Sequence, residues 1–298
     1  MSLPGRIEEL RVQAVWGVAT DAGGRRKANE DSVLATPSVF LVADGMGGHV
    51  HGAMASGAVV AEFSRYADTV RPDVEVQPTD IQAVVRAAQQ RIRSSLADVQ
   101  DSVGDHPVTA GSTAAGVILT RHEDSPYWLV FNVGDSRVYR FAEGALTRIS
   151  VDHSVVQELV DSGAITDEQA RSHPQRNVIT RAVGSGIDVE PDFWMLYAGA
   201  TERLLLCSDG LINELTEDRI AGVLGAGLGP QDAASALLAE AIADGARDNV
   251  SVIVIDLMPD HEALVTTAPR EGVGEPGGAE DTVPREQGAG ADRNWWWA

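Results

Sequence analysis

The chain has 298 residues, an apolar fraction of 44 % and a formal net charge of −21, which fits a globular protein with a buried core. The acidity argues against non-specific binding to nucleic acid or anionic membranes, since both need basic patches, and no apolar run reaches membrane-spanning length. Residues 1–20 carry no apolar leader segment and the single cysteine cannot form an internal disulfide, so we expect a cytoplasmic protein.

The first half of the chain predicts two groups of strands separated by two helices. Apolar alternation and short apolar runs indicate strands over 12–19, 32–35 and 39–43, followed by a tight turn over 45–48. Helical spacing indicates helices over 53–66 and 78–96. Strands return over 113–119, 128–133, 138–141 and 145–149, and Glu143-Gly144 is a hairpin signal between the last two.

The second half begins with an irregular stretch, residues 151–190, that contains short helices over 155–162 and 167–171. Strands over 193–197 and 203–207, helices over 217–224 and 231–244, and a last strand over 250–257 follow. Grouped strands followed by paired helices indicate an antiparallel-rich α/β sandwich, not a βαβ repeat. Beyond it, Gly, Pro, Glu and Ala dominate without periodicity, which predicts a disordered acidic tail over 259–298.

Acidic residues stand where predicted strands begin or end. Asp44 and Asp209 each follow an apolar strand and precede a glycine, and the chain also holds Glu30-Asp31 and Asp248. Asp-Gly is a common turn pair, but at the end of a buried strand it also places a carboxylate at the sheet edge. Several carboxylates in one cleft stay ionised only if a cation compensates them. The sequence therefore predicts a hard-metal site.

Mg²⁺ and Mn²⁺ are the ions that carboxylate, carbonyl and water oxygens favour. Two such ions that share an activated water suit phosphoester hydrolysis. A phosphate also needs a planar cation, and Arg25-Arg26 lies just upstream of Glu30. A basic trio that includes Lys27 is usually a solvated face, but its spacing to Asn29-Glu30-Asp31 favours Arg26.

Eight short motifs, spread over residues 12–257, carry a resemblance to a known family. They include Asn29-Glu30-Asp31 within 26–32, Asp44-Gly45-Met46-Gly47-Gly48-His49 within 42–49, Gly111-Ser112-Thr113-Ala114, Gly134-Asp135-Ser136-Arg137 within 132–137, Asp152-His153-Ser154, His173-Pro174-Gln175-Arg176-Asn177, Ser208-Asp209-Gly210 and Arg247-Asp248-Asn249. On these motifs the chain resembles the bacterial form of the metal-dependent type 2C (PPM) serine/threonine protein phosphatases. The resemblance implies an α+β fold, a four-layer α/β/β/α sandwich of two mostly antiparallel sheets flanked by helices. The catalytic domain would span 1–258.

The resemblance implies a role for each carboxylate. Asp44 would bridge two Mn²⁺ or Mg²⁺ ions and Gly45 would offer its carbonyl to one of them. Asp209 and Asp248 would complete the ligands of the other. Glu30 and Asp31 would hold metal-bound waters or ligate directly, and we take Asp44, Asp209 and Asp31 as the catalytic set.

Further roles follow from the same resemblance. Asp135 would bind a third metal, although pairing with Arg137 or capping a turn is the alternative. Arg26 would bind the substrate phosphate, and residues 151–190 would form the flap beside the site. Animal relatives carry a histidine where this chain has Met46, so the proton donor would be a water or a nearby histidine, His49 or His153.

The implied function is hydrolysis of phosphoserine and phosphothreonine on proteins, reversing a bacterial Ser/Thr kinase. One alternative is a catalytically silent phosphoprotein-binding module, but that predicts lost metal residues, and all of them are present here. Another is a phosphatase of a partner-switching pathway that acts on anti-sigma-factor antagonists. We expect a monomer whose partners are phosphorylated proteins and a cognate kinase, with neither nucleic acid nor membrane as partner.

Overall fold

The structure is a computed structural model that describes residues 12–47, 50–70, 75–103, 109–123, 125–186, 188–199 and 202–259. Of the predicted tail, only Pro259 is among the described residues. His49, one of the two candidate histidine proton donors, lies outside them. Within the described residues, no helix has the length and apolar character needed to cross a bilayer.

The strands of the described chain form two five-stranded sheets and a short two-stranded ladder. Their bounds are β1 Val12–Asp21, β2 Ser32–Ala35, β3 Val39–Ala43, β4 Gly45–Met46, β5 Gly111–Ser112, β6 Ala114–His122, β7 Ser125–Val133, β8 Arg137–Ala142, β9 Ala145–Arg148, β10 Asp192–Tyr197, β11 Arg203–Cys207 and β12 Val250–Pro259. The first sheet has the order β1-β12-β11-β8-β9, the second has the order β10-β7-β6-β3-β2, and β4 pairs with β5. Neighbouring strands run antiparallel in both sheets.

Helices cover the outer faces of both sheets. Their bounds are α1 Val50–Ala67, α2 Pro78–Val103, α3 Val155–Asp161, α4 Asp167–Arg171, α5 Asp209–Glu214, α6 Glu217–Leu224 and α7 Pro230–Ala243. Phe63 of α1 and Ile92 of α2 belong to one apolar cluster with residues of the second sheet, and the ring of Phe63 stacks on that of Phe131 with 4.9 Å between the centroids. Apolar residues of α6 and α7, such as Ile220 and Leu237, pack on the first sheet.

A third apolar layer, between the two sheets, contains Phe40 and Trp128 from one sheet and Leu204 and Ile253 from the other. Three apolar layers between helix, sheet, sheet and helix make the four-layer α/β/β/α sandwich, so the predicted fold class is confirmed.

Strand β11 shows why continuous apolar runs suit this arrangement. Its side chains alternate between the two faces of the sheet: Leu204 and Leu206 enter the layer between the sheets, while Leu205 and Cys207 face the helices. Both faces are buried, so no polar alternation appears. Burial raises the pKa of the Cys207 thiol to about 12, which fits an inert core residue.

Local turn chemistry explains one confirmed prediction and two differences. Glu143 and Gly144 both have positive φ, at 53° and 77°, as the hairpin between β8 and β9 requires. The predicted tight turn at 45–48 is wrong at its start, because Gly45–Met46 forms β4 opposite β5. Helix α5 was not predicted: it begins at Asp209, directly where the apolar strand signal stops.

Candidate metal-binding active site

In the second sheet, neighbouring strand ends bring Asp31 and Asp44 together. Asp44 directly follows β3 and Asp31 directly precedes β2, and the two strands pair antiparallel with Ser32 opposite Ala43. The backbone of Asp44 is held on both sides by Thr113. The Asp44 N–H donates to Thr113 Oγ1 at 2.9 Å, and the Asp44 carbonyl accepts from the Thr113 N–H at 2.9 Å.

In the first sheet, the same antiparallel geometry places Asp209 and Asp248 at one edge. Asp209 lies two residues beyond the end of β11 and Asp248 two residues before β12, in a register that sets Cys207 opposite Val252. Asp209 is the first residue of α5, and its Oδ2 accepts from Asn213 Nδ2 at 3.0 Å. Each sheet therefore contributes two of the predicted carboxylates.

Ser208 joins the two sheets at this edge. Its hydroxyl donates to Asp31 Oδ2 at 2.8 Å and accepts from the Ser251 N–H at 3.0 Å. The other oxygen, Asp31 Oδ1, is buried and has no hydrogen-bond partner within the described chain. Because a buried carboxylate oxygen without a partner is costly, this atom fits a site that a cation completes.

The raised pKa values of the carboxylates also indicate a site that a cation completes. Burial raises the pKa of Asp31 to about 7, and the charges of Asp209 and Asp248 add to the shift. Burial, and then the charges of Asp31 and Asp209, raise the pKa of Asp44 well above its ordinary value. Burial, and then Asp248, also raise the pKa of Asp209. Without a cation these groups favour protons, whereas a bound divalent ion would favour their ionised forms.

Glu30 and the Gly45 carbonyl lie against the first turn of α1. A Cβ on Gly52 would lie 2.5 Å from Glu30 Oε2 and 2.7 Å from the Gly45 carbonyl oxygen. A Cβ on Gly45 would in turn lie 2.1 Å from the Gly52 carbonyl oxygen. Only glycines allow this approach, and it brings the predicted carbonyl ligand and the Glu30 carboxylate to the same point.

Asn249 holds the chain segments around the site, and its role was not foreseen from the sequence. Its Nδ2 donates to the carbonyls of Ala22 and Ala28 at 2.9 and 3.0 Å, and its Oδ1 accepts from the Glu30 N–H at 2.8 Å. The Asn249 N–H donates to Asp248 Oδ1 at 2.9 Å. The only sequence signal is its place in the Asp248-Asn249 pair.

Arg26 lies at the edge of the carboxylate cluster. Its Nη2 is 2.7 Å from Asp248 Oδ2, and its side chain is 49 % exposed. Arg26 also lines a cleft that lies between the carboxylates and residues 151–190. The neighbouring Arg25 and Lys27, which the structure also describes, do not line this cleft. The structure thus places the residue selected by spacing beside the acidic site.

Asp135 follows β7, which ends at the same edge of the second sheet. Its Oδ1 is buried and lacks a hydrogen-bond partner within the described residues. Burial, and then the charges of Asp209 and Asp152, raise the pKa of Asp135. Arg137 pairs with Asp152 instead, through Nε at 3.0 Å and Nη2 at 2.7 Å. The alternative in which Arg137 neutralises Asp135 through an ion pair is therefore not what the structure shows.

His153 has both ring nitrogens engaged. Its Nδ1 accepts from the Gly134 N–H at 3.1 Å, so the ring proton lies on Nε2, which is 3.2 Å from Asp192 Oδ2. Burial is the main cause that lowers the pKa of His153, which favours the neutral ring. This histidine therefore anchors the base of the predicted flap and does not point a free N–H at the cluster.

A cleft of about 1080 Å³ separates the carboxylate cluster from the 151–190 region. Asp135, Asp209 and Asp248 line one wall. Residues of α3, α4 and the following loop, including Arg171 and Arg176, line the other. A macromolecular substrate that reaches the carboxylates therefore passes the predicted flap.

Among the described residues, no group of three or more His, Cys, Asp or Glu side chains lies close enough together to hold a metal ion. A closed cage is typical of structural zinc sites. Mg²⁺ and Mn²⁺ usually keep several waters and take only a few protein oxygens. The buried oxygens Asp31 Oδ1 and Asp135 Oδ1, which lack hydrogen-bond partners among the described residues, fit the second kind of site.

Comparison with known proteins gives consistent matches. Residues 25–244 match the family model described as protein phosphatase 2C. The serine/threonine protein phosphatase PstP of Mycobacterium tuberculosis is 37 % identical over 245 residues, which cover 82 % of this chain but only 45 % of that protein. The serine/threonine phosphatase stp of Listeria welshimeri is 31 % identical over 243 residues, which cover 80 % of this chain and 93 % of that protein.

One solved structure is especially informative. The catalytic domain of the serine/threonine protein phosphatase PstP, in complex with two manganese ions, superposes with a TM-score of 0.71 at 32 % identity. The match covers 83 % of this chain and 100 % of that domain. The similarity thus extends over the same part of the chain that forms the sandwich and the cleft.

Proposed function

Because the chain belongs to the protein phosphatase 2C family, we propose that it hydrolyses phosphoserine and phosphothreonine on proteins with the help of Mn²⁺ or Mg²⁺. The observation that carries this proposal is that Asp31, Asp44 and Asp209 lie at one edge of the two sheets, where burial and the charges of Asp31 and Asp209 raise the pKa of Asp44, with Arg26 bound to the neighbouring Asp248. The relatives PstP and stp are serine/threonine phosphatases, which supports the substrate class.

The metal ions would be held by oxygens of this cleft. Asp44 and the Gly45 carbonyl would hold one ion, and Asp44 with Asp209 and Asp248 would hold the other. When bound, such a pair supplies a water nucleophile of lowered pKa and stabilises charge on the phosphoryl oxygens. The PstP catalytic domain is in complex with two manganese ions, which supports a site for two ions here.

Three further residues would complete the acidic site. Glu30 and Asp31 would hold water or ligate directly, and the unpartnered Asp31 Oδ1 supports an inner position for that residue. Asp135 would take a third ion, because its own buried oxygen lacks a partner within the described chain.

Arg26 would orient the substrate phosphate. Its guanidinium uses one N–H on Asp248, and its half-exposed side chain leaves further donors for two phosphate oxygens in the bidentate geometry that arginine favours. Asp248 holds the guanidinium in place, which reduces the entropy lost when the phosphate binds.

The wider assignments follow from the same proposal. The catalytic domain would span 1–258 with the flap at 151–190, and residues 259–298 would form a tail without catalytic residues. The protein would act as a cytoplasmic monomer and remove phosphate groups that a Ser/Thr kinase adds to its substrates. The alternative of a silent binding module predicts lost metal residues, and the presence of Asp31, Asp44, Asp209 and Asp248 speaks against it.

Turnover of a phosphothreonine peptide tests the proposal. We expect activity with Mn²⁺, none with EDTA, and a loss of several orders of magnitude in kcat for Asp209→Asn. Asp232→Asn, an exposed aspartate in the first turn of α7, is the matched control and should keep full activity. Equal turnover in Mn²⁺, EDTA and Asp209→Asn would refute the metal mechanism, and no turnover under any condition would favour the silent module.

A further inference from the structure

Two arginines of the flap stand out among the cations that line the cleft. Arg171 and Arg176 are exposed, and within the described part of the chain neither is joined to a carboxylate. The remaining arginines of the cleft are all engaged: Arg26 with Asp248, Arg137 with Asp152, Arg148 with Gln157 and Asp152, and Arg247 with Glu214. The flap wall therefore presents two guanidinium groups that are free to bind.

The acidic groups near this wall do not neutralise the pair. Asp152 and Glu214 are already bound to other arginines. Asp167 also lines the cleft, one turn before Arg171 in α4, but no ion pair links these two described residues. The net charge of −21 would on its own favour basic substrate segments. The two arginines instead give this wall of the cleft positive charges that can attract an acidic segment.

We infer that Arg171 and Arg176 bind a second anionic group of the substrate, a carboxylate or a second phosphate close in sequence to the residue being dephosphorylated. The inference rests on the proposed function, since it takes the cleft as the substrate site. Arginine suits either anion, because its planar fork donates two parallel hydrogen bonds to carboxylate and phosphate alike. Substrates would then be selected by acidic or multiply phosphorylated segments.

Three phosphothreonine peptides of equal length test this inference in the full-length protein with Mn²⁺. One has neutral flanks, one carries glutamates within four residues of the phosphothreonine, and one carries there a phosphonate analogue of phosphoserine, which cannot be hydrolysed. We expect kcat/KM to be higher for both anionic peptides than for the neutral one. In Arg171→Gln/Arg176→Gln, the ratio of anionic to neutral kcat/KM should fall roughly 3- to 10-fold, as expected for two exposed charge pairs.

A matched double variant, Arg65→Gln/Arg86→Gln, removes two exposed arginines outside the cleft and should keep the wild-type ratio. Asp167→Asn, which removes a carboxylate one turn before Arg171, should raise the ratio. A gain restricted to the phosphonate peptide would support the inference and identify phosphate as the second group. A gain for both anionic peptides would also support it and show that a carboxylate suffices.

An unchanged ratio in the flap double variant would overturn the inference while leaving the phosphatase assignment intact. If the wild type turned over no peptide, the proposed function would fail instead. Fluorescence anisotropy of the same labelled peptides would then decide the flap question separately. If the wild type binds the anionic peptides more tightly than the neutral one and the flap variant does not, the inference is supported. Equal binding of the anionic peptides by wild type and variant would refute the inference.

Discussion

Ser208 donates a 2.8 Å hydrogen bond to Asp31 Oδ2 and so ties the end of a strand in one sheet to the start of a strand in the other. The bond satisfies only one oxygen of a buried carboxylate, and Asp31 Oδ1 is left without a partner among the described residues. The contact between the sheets therefore holds Asp31 in position and leaves an oxygen for a cation.

Stability without metal should fall as the pH rises. Burial raises the pKa of Asp31 from 3.8 to about 7, so between these values the folded state binds more protons than the unfolded state. By linkage, the free energy of unfolding in EDTA should decrease by about 2–3 kcal/mol between pH 5 and pH 7.5. Urea denaturation at both pH values measures this change.

Asp31→Asn should make that pH dependence shallower, because the titrating group is removed. Saturating Mn²⁺ should restore stability at pH 7.5 in the wild type, since an ion that binds only the folded state stabilises it. Stability in EDTA that rises over this pH range would contradict the electrostatic account of the site.

Arg26→Ala should weaken substrate binding and leave metal binding unaffected. Loss of a charged, bidentate phosphate ligand should lower kcat/KM for a phosphothreonine peptide by roughly 10- to 100-fold, mainly through KM. Isothermal titration with Mn²⁺ should give a similar affinity in variant and wild type. Arg25→Ala is the neighbouring control, and a large loss of Mn²⁺ affinity in Arg26→Ala would show that its contact with Asp248 serves the metal instead.

Two glycines of α1 provide a matched pair of substitutions. A Cβ on Gly52 would lie 2.5 Å from Glu30 Oε2, whereas a Cβ on Gly57 would meet nothing within 4 Å. Gly52→Ala should therefore displace Glu30 and the Gly45 carbonyl and lower Mn²⁺ affinity at least 10-fold, roughly the loss expected when a residue supporting a metal ligand is altered. Gly57→Ala should raise the free energy of unfolding by up to about 1 kcal/mol.

Equal Mn²⁺ affinity in Gly52→Ala and Gly57→Ala would show that the first turn of α1 does not shape the metal site. Measuring Mn²⁺ binding and thermal stability on the same preparations separates a local effect from general destabilisation.

Asn249→Ala should destabilise the whole edge of the sandwich. The amide satisfies the carbonyls of Ala22 and Ala28 and the N–H of Glu30, and Asn249 is only 5 % exposed. Unpairing these backbone groups should lower the free energy of unfolding by about 2–4 kcal/mol. Asn177→Ala, at an exposed flap position, should change it by less than about 0.5 kcal/mol, and equal effects would contradict the proposed role.

Much of the fold was predictable because the strands carry long apolar runs, as in β3 and β11, that bury both faces. The four-layer arrangement came from the family resemblance and not from periodicity. Helix α5 and strand β4 were missed because six and two residues are too short to show a period. Gly45–Met46 becomes a strand only through pairing with Gly111–Ser112, which is distant in sequence.

For the site, the carboxylates and Arg26 were predictable because Asp-Gly pairs and motif spacing are local signals. The hydrogen bonds of Asn249, and the engagement of both His153 nitrogens by Gly134 and Asp192, were not. These contacts join groups that are distant in sequence. Such groups meet only once the strands have paired, so the sequence pattern does not reveal them.

The most direct test of the metal site is anomalous diffraction at the manganese edge from crystals grown with Mn²⁺. We predict two strong peaks beside the cleft, in contact with Asp44, the Gly45 carbonyl, Asp209 and Asp248. A cleft without anomalous density at saturating Mn²⁺, or peaks bound only by other residues, would contradict it.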